Sequence, residues 1–213
     1  MAKILVVDDE DDLRIIFQKY LEHSGHQVVS VENGKEAVEK VKTERFDLII
    51  TDLMMPVMGG FEAIQKIREM KELPFTPIII ISALETSGDI EKGLKLGADE
   101  YVVKPIDKTG FTARVAAMLR LKKTYDDLMA AKRKQEELIR KNCNLIVLSL
   151  DAMRLPVHLL KDDTARLLDS GKDAVAEDPA IRERVSGAID SINKSLNRIY
   201  EIHETSCSTL KNL

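Results

Sequence analysis

Apolar residues in the first half of the chain follow two alternating patterns. Short, unbroken, largely β-branched runs such as Ile4-Leu5-Val6-Val7, Leu48-Ile49-Ile50 and Ile78-Ile79-Ile80-Ile81 read as strands buried on both faces. Between them, apolar residues recur every three or four positions, the spacing of a helix with one face turned inward. In order, the pattern predicts a strand at Ile4–Val7 and a helix carrying Leu13, Ile16, Phe17, Tyr20 and Leu21, stopped by Gly25. A strand at Val28–Val31 and a helix from Gly34 to Glu44 follow, the latter with Ala37, Val38 and Val41 inward. A third strand delivers Asp52, and Phe61, Ile64 and Ile67 mark a third helix. The remaining units are a strand over Pro77–Ser82, a helix over Ile90–Leu96, a strand over Tyr101–Lys104 and a helix from near Thr109. Five β/α units in succession imply the α/β class, with a doubly wound five-stranded parallel sheet covered by helices on both faces.

The pattern changes after residue 122. Neither Gly nor Pro occurs over 111–155, so the last helix is expected to run on. Leu121, Tyr125, Leu128, Ile139 and Ile146 fit a 3.5-residue repeat that also takes in Lys132, Gln135 and Asn142. This predicts a coiled-coil linker helix over 123–142, its polar seam positions fixing register at some cost in stability. From Cys143 the helix becomes strongly apolar, with Leu145, Leu148, Met153, Leu155, Leu159, Leu160, Leu167 and Leu168. Pro156 lies inside it and is expected to kink it. A break opens at Ser170-Gly171 and closes at Glu177-Asp178-Pro179. A second helix then carries Val185, Ile189, Ile192, Leu196, Ile199, His203 and Leu210. Region 143–213 therefore reads as an all-α hairpin. One hairpin cannot cover both its apolar faces and two can, which predicts a dimeric four-helix bundle.

Charge narrows the function. A net charge of -4 gives no reason to expect nucleic acid, and no segment resembles a recognition helix with a basic flank. No apolar run approaches the roughly 18 residues of a membrane helix, and the N-terminus reads as a strand, not a signal peptide. Cys143 and Cys207 lack metal-type spacing and fit two reduced thiols in a cytoplasmic protein.

The polar residues that end the strands form a coherent chemical set. Strands one, three, four and five end in Asp8-Asp9, Asp52, Ser82 and Lys104, and parallel strands deliver such residues to one edge of the sheet. A lone Asp at a strand end is ordinarily a helix cap, the role expected of Asp11 and Asp12. Clustered carboxylates repel one another unless a cation sits among them, and oxygen-only ligands suit Mg²⁺. Lys104 adds a point charge suited to phosphate, and Ser82 a hydroxyl donor. Such a site can stabilise a phosphoryl group moving onto Asp52.

Asp8-Asp9, Asp52-Leu-Met-Met-Pro56, Ser82-Ala83 and Lys104-Pro105 together resemble the two-component response-regulator receiver domain, over residues 1–122. The resemblance implies a flavodoxin-like fold, Asp52 as phosphoacceptor, and Mg²⁺ held by Asp9, Asp52 and the Met54 carbonyl, with Asp8 acting through water. It implies that Ser82 and Lys104 bind the phosphoryl group and that Tyr101 is the switch aromatic; taken alone, Tyr101 reads as simple packing. The positions that flank the attacking water in this family are here Met54 and Leu84. Both are apolar, which predicts slow self-dephosphorylation.

Asp151-Ala152-Met153-Arg154-Leu155-Pro156 is similar to the phosphorylation motif of the histidine-kinase dimerisation domain. Arg154 and Pro156 fit that motif. Asp151 stands where its phosphorylated His belongs, and Ala152 where its acid belongs. The segment is thus expected to be a degenerate, non-enzymatic dimerisation module with no ATP-binding domain after it. His158 lies on nearly the same helical face as Asp151; it reads either as packing near the kink or as a displaced phosphotransfer site. Two functions follow. The first is a signalling protein phosphorylated by a cognate histidine kinase, a homodimer through its C-terminal helices, which presents a surface to a downstream protein. The alternative is a phosphorelay phosphotransferase exchanging phosphate between Asp52 and His158.

Overall fold

The computed structural model describes residues 1–169 and, further on, 179, 183, 186–194, 196–198 and 200–201; for 149–169 it describes the backbone alone. The chain divides into two compact units, Met1–Met129 and Ala130–Leu213. The first contains β1 (Lys3–Val7), α1 (Asp11–His23), β2 (Gln27–Val31), α2 (Gly34–Thr43), β3 (Leu48–Thr51), α3 (Gly60–Glu69), β4 (Ile78–Ser82), α4 (Ser87–Lys95) and β5 (Glu100–Val103). The long helix α5 spans Lys108–Asp169 without interruption, through Pro156, and the described residues from 186 to 201 are helical as well. The expected break at Ser170-Gly171, and the residues His203 and Cys207, lie outside the described residues.

All strand pairs are parallel, in the order β2-β1-β3-β4-β5. The chain reverses its direction of travel across the sheet between β1 and β3, so a crevice opens beyond their carboxyl ends. Register places the chemistry there. Val7 pairs with Thr51, so the next residues, Asp8 and Asp52, emerge side by side. Ser82 pairs with Val103, which brings Lys104 to the same edge.

Alternation along the buried strands divides the core into two layers. Leu5, Val7, Ile49, Ile78 and Ile80 face Ala37, Val38 and Val41 of α2 and Ala63, Ile64 and Ile67 of α3. Ile4, Val6, Leu48, Ile50, Ile79 and Ile81 face Phe17 and Leu21 of α1 and Phe111 and Val115 of α5. The Phe17 and Phe111 rings stack 4.7 Å apart and tie α1 to α5. Each such residue contributes roughly 1.5–3 kcal/mol by leaving water.

Two expectations need correction in α1. Ile16 belongs to the helical repeat, yet it is exposed together with Ile15. Asp11 and Asp12 are not caps: the N-cap is Glu10, without a side-chain hydrogen bond, and both aspartates sit in the first turn. There they complement the positive end of the helix dipole. Along α5, Leu121, Leu128 and Ile146 of the expected seam are exposed, as are Lys132, Gln135 and Asn142.

Candidate functional site: a carboxylate cluster at the sheet's carboxyl edge

Asp8 and Asp52 are both buried, an arrangement that needs a counter-charge. Lys104 supplies it, with Nζ 2.7 Å from Asp52 Oδ2, 3.0 Å from Asp8 Oδ2 and 3.7 Å from Glu10 Oε1. Burial opposes the lysine's charge, but hydrogen bonds to Asp52 and Asp8 outweigh it and hold the ammonium above its ordinary 10.5. Asp8 shows the other side of the contact. Burial raises its pKa above the ordinary 3.8, and neither the Glu10 N–H nor Lys104 fully offsets that. Two carboxylates share one lysine, so the site remains short of positive charge.

Backbone groups fix the aspartates. The Leu53 N–H donates to Asp52 Oδ1 at 2.5 Å and the Glu10 N–H to Asp8 Oδ1 at 2.9 Å. Arg14 Nη1 donates to the Asp8 carbonyl at 2.6 Å. Gly60 opens α3 directly against the Asp52 backbone, and a Cβ there would collide with the Asp52 carbonyl oxygen. The loop between them turns at Val57, which has φ 68° and is 77% exposed. The Met58 N–H donates back to the Pro56 carbonyl at 2.7 Å, closing a three-residue turn that is strained for a β-branched residue.

Ser82 is buried at the end of β4, and its Oγ accepts from the Leu84 N–H at 3.4 Å. The Tyr101 hydroxyl donates to the Leu84 carbonyl at 2.8 Å, which places it two residues from Ser82. Burial, with Asp89 adding to it, raises the pKa of this phenol. Its ring rests on Gly93 of α4, where a Cβ would lie 3.2 Å from Tyr101 Cδ2 and 2.7 Å from Ile80 Cδ1.

Asp8, Asp52, Ser82 and Lys104 thus converge as the strand ends predict, and Met54 follows Asp52 with its side chain 65% exposed. Asp9 faces solvent. Among the described residues, Asp8, Glu10 and Asp52 bring carboxylate oxygens within 4.8 Å of one another. The sequence reading did not include Glu10, whose place beside Asp8 is set by the bend at Asp9 as the chain leaves β1. Three oxygen donors and an incompletely neutralised pocket fit a hard divalent cation. The side chains of Asp151, Arg154, Pro156 and His158 lie outside the described residues. A hollow of about 290 Å³ lined by Phe46, Arg68, Phe75 and Tyr125 contains none of the strand-end residues.

This arrangement is shared with known proteins. Residues 4–116 match the response regulator receiver domain, and the chain belongs to that family. It is 43% identical over 118 residues to the alkaline phosphatase synthesis transcriptional regulatory protein PhoP of Bacillus subtilis, covering 55% of this chain and 48% of that protein. It is 42% identical over 120 residues to the response regulator ArlR of Staphylococcus saprophyticus, covering 56% of this chain and 53% of that one. The chain therefore spans about half the length of the curated relatives it matches. Among solved structures, a Francisella response regulator receiver domain is similar at TM-score 0.53 and 31% identity, covering 56% of this chain and 98% of that one. The receiver domain of a Pseudomonas aeruginosa sensor histidine kinase is similar at TM-score 0.52 and 28% identity, covering 55% of this chain and 97% of that one; it carries a magnesium ion coordinated in its active-site cleft. Receiver domains bind Mg²⁺ at this acidic pocket and are phosphoacceptors, not kinases. No helix among the described residues is long and apolar enough to cross a membrane.

Proposed function

We propose that this protein is a phosphorylation-dependent signalling protein in which Asp52 accepts a phosphoryl group from a histidine kinase. The observation that carries the reading is the Lys104 ammonium held between Asp52 and Asp8 at 2.7 and 3.0 Å. An Asp52 oxygen attacks phosphorus, the P–N bond to the donor imidazole breaks with its electron pair left on nitrogen, and an acyl phosphate forms. Mg²⁺, when bound, offsets the charge of the incoming phosphoryl oxygens. Asp9, Asp52 and the Met54 carbonyl hold it in this reading, with Asp8 through water. Lys104 exchanges a carboxylate oxygen for a phosphoryl oxygen. Ser82 donates its hydroxyl to the same group, and Tyr101 follows it, because both contact Leu84.

The output passes to the helices beyond 122, which form a homodimer in a degenerate kinase-like bundle with a coiled-coil linker over 123–142. The exposed apolar residues of α5 support this, since a second copy would cover them. The Bacillus subtilis relative is a transcriptional regulatory protein, but the similarity covers only 118 residues of this chain, and no basic excess in residues 123–213 favours DNA. The reading therefore keeps a protein as downstream partner and the cytoplasm as the location. A radiolabelled small phosphodonor with Mg²⁺ tests it. Wild type should take up label; the Asp52→Ala chain, or wild type with chelator, should not. Undiminished labelling of Asp52→Ala would refute the assignment.

A further inference from the structure

We infer that Arg14 is a positioning residue of the cation site, a guanidinium that holds the turn after β1 so that the acidic pair Asp8-Asp9 is in place before the ion arrives. The inference rests on the reading of the acidic pocket as a Mg²⁺ site and adds to it a residue outside the ligand set. Arg14 reaches three parts of the sheet's carboxyl edge at once. Its Nη1 donates to the Asp8 carbonyl at 2.6 Å. Its Nη2 pairs with Asp11 in the first turn of α1 and, at 3.3 Å, with Glu32, the residue after β2. The Asp8 N–H donates to the Val31 carbonyl at 3.3 Å, so the ends of β1 and β2 already lie together there. The Arg14 side chain is only 11% exposed, whereas its carboxylate partners Asp11 and Glu32 are 81% and 67% exposed.

The turn needs such a hold. The chain bends at Asp9, and the hydrogen bond from the Glu10 N–H to Asp8 Oδ1 spans the bend at 2.9 Å. Carboxylates crowd the pocket, with Lys104 as the cation between Asp8 and Asp52, and before an ion binds their repulsion pushes the turn outward. Holding the Asp8 carbonyl fixes the peptide that joins Asp8 to Asp9, and with it the origin of both side chains. A planar guanidinium suits the task, because its fork fixes direction as well as distance. The charge of Arg14 acts the other way, since a cation beside the pocket repels a second cation. Position and charge therefore make opposite predictions for its removal.

Binding of Mn²⁺ alone tests this, read from the paramagnetic resonance signal of the free ion, in the full chain without phosphodonor. Mn²⁺ stands in for Mg²⁺ because both take oxygen ligands in octahedral geometry. Arg14→Ala should weaken binding about tenfold, the scale expected when a residue that supports metal ligands is lost. Arg14→Lys keeps the charge but not the fork, and its affinity should fall between those of Arg14→Ala and wild type. Lys19→Ala removes an equal charge from an exposed position of α1 and should change binding less than about twofold, because screening mutes distant charges. Circular dichroism checks that each variant is folded; a residue that only stabilised the fold would lower the urea midpoint without this loss of affinity. Unchanged or tighter binding by Arg14→Ala would overturn the inference, as would wild-type affinity in Arg14→Lys. If Arg14→Ala does not fold, Arg14→Lys decides alone. In each case a wild-type chain that binds Mn²⁺ leaves the reading of the pocket intact; a wild-type chain that binds none overturns both.

Discussion

Ile4, Leu48 and Ile80 are sealed between sheet and helices, whereas Leu128, Leu138 and Leu148 along α5 stand 61%, 59% and 65% exposed. These are similar side chains in one polypeptide, and what separates them is the availability of a partner surface. In the first unit the strands alternate into two layers, and each layer meets helices from the same chain. Phe111 and Val115 of the long helix pack into that core, whereas Leu128, Leu138 and Leu148 further along it are exposed. Burial inside the first unit therefore specifies where Asp8, Asp52 and Lys104 meet. In the proposed reading the exposed α5 stripe serves association instead, and its chemistry depends on what covers it.

The strongest way to break this comparison is to truncate one residue from each region. Ile80→Ala should cost the first unit about 2–5 kcal/mol, read as a lowered urea midpoint, because it removes packing from both Ala98-side and α3-side neighbours of that layer. Leu138→Ala should leave that transition within about 0.5 kcal/mol and should weaken self-association in sedimentation instead. A similar loss of folding stability from both would erase the distinction.

The lifetime of the acyl phosphate sharpens it on the chemical side. Met54 is exposed beside Asp52 and Leu84 is half-buried beside Ser82; neither can orient an attacking water by a hydrogen bond. Met54→Asn with Leu84→Glu should shorten the phosphoryl half-life by at least about tenfold. An unchanged half-life would mean that water is controlled elsewhere.

Smaller effects concern the charge balance of the site. Mg²⁺ at ten times its dissociation constant should stabilise the chain by about 1.4 kcal/mol, and the gain should vanish in Asp52→Ala. Without metal, the pH dependence has a definite sign. Asp8 is raised in the folded state, so the folded chain binds its proton more readily than the unfolded chain. Its contribution is most favourable below the ordinary 3.8 and diminishes as pH rises through the folded value. Lys104 acts at the other end: its raised pKa contributes stability below the ordinary 10.5 that is lost as pH passes the folded value. Asp8→Asn should remove the acid-side slope in urea titrations and leave the alkaline one. Least of all, Val57→Gly should raise stability by about 1 kcal/mol by relieving the positive φ, measurable as a small rise in the urea midpoint.

Much of this was legible in the order of the residues. Strand ends identify Asp8, Asp52, Ser82 and Lys104 because a parallel sheet sends every carboxyl end to one edge, and unbroken β-branched runs mark the strands buried on both faces. Less legible were features set by local backbone geometry. The nearness of Glu10 to Asp8 and Asp52 depends on how the chain bends as it leaves β1, and the tight approach of Gly60 to Asp52 depends on a loop turning through Val57. Ile16 shows the limit of periodicity: it falls on the helical repeat, yet Phe17 and Leu21 fill the available groove. In α5 the heptad spacing is plain, but spacing alone does not identify what lies across the seam.

The central claim is that phosphate resides on Asp52 and on no other residue. Borohydride reduction of the phosphorylated full chain converts an aspartyl phosphate to homoserine, which peptide mass spectrometry then locates. The account expects homoserine at position 52 alone. Homoserine at Asp8, Asp9 or Asp151, or a phosphoryl group retained on His158, would contradict it.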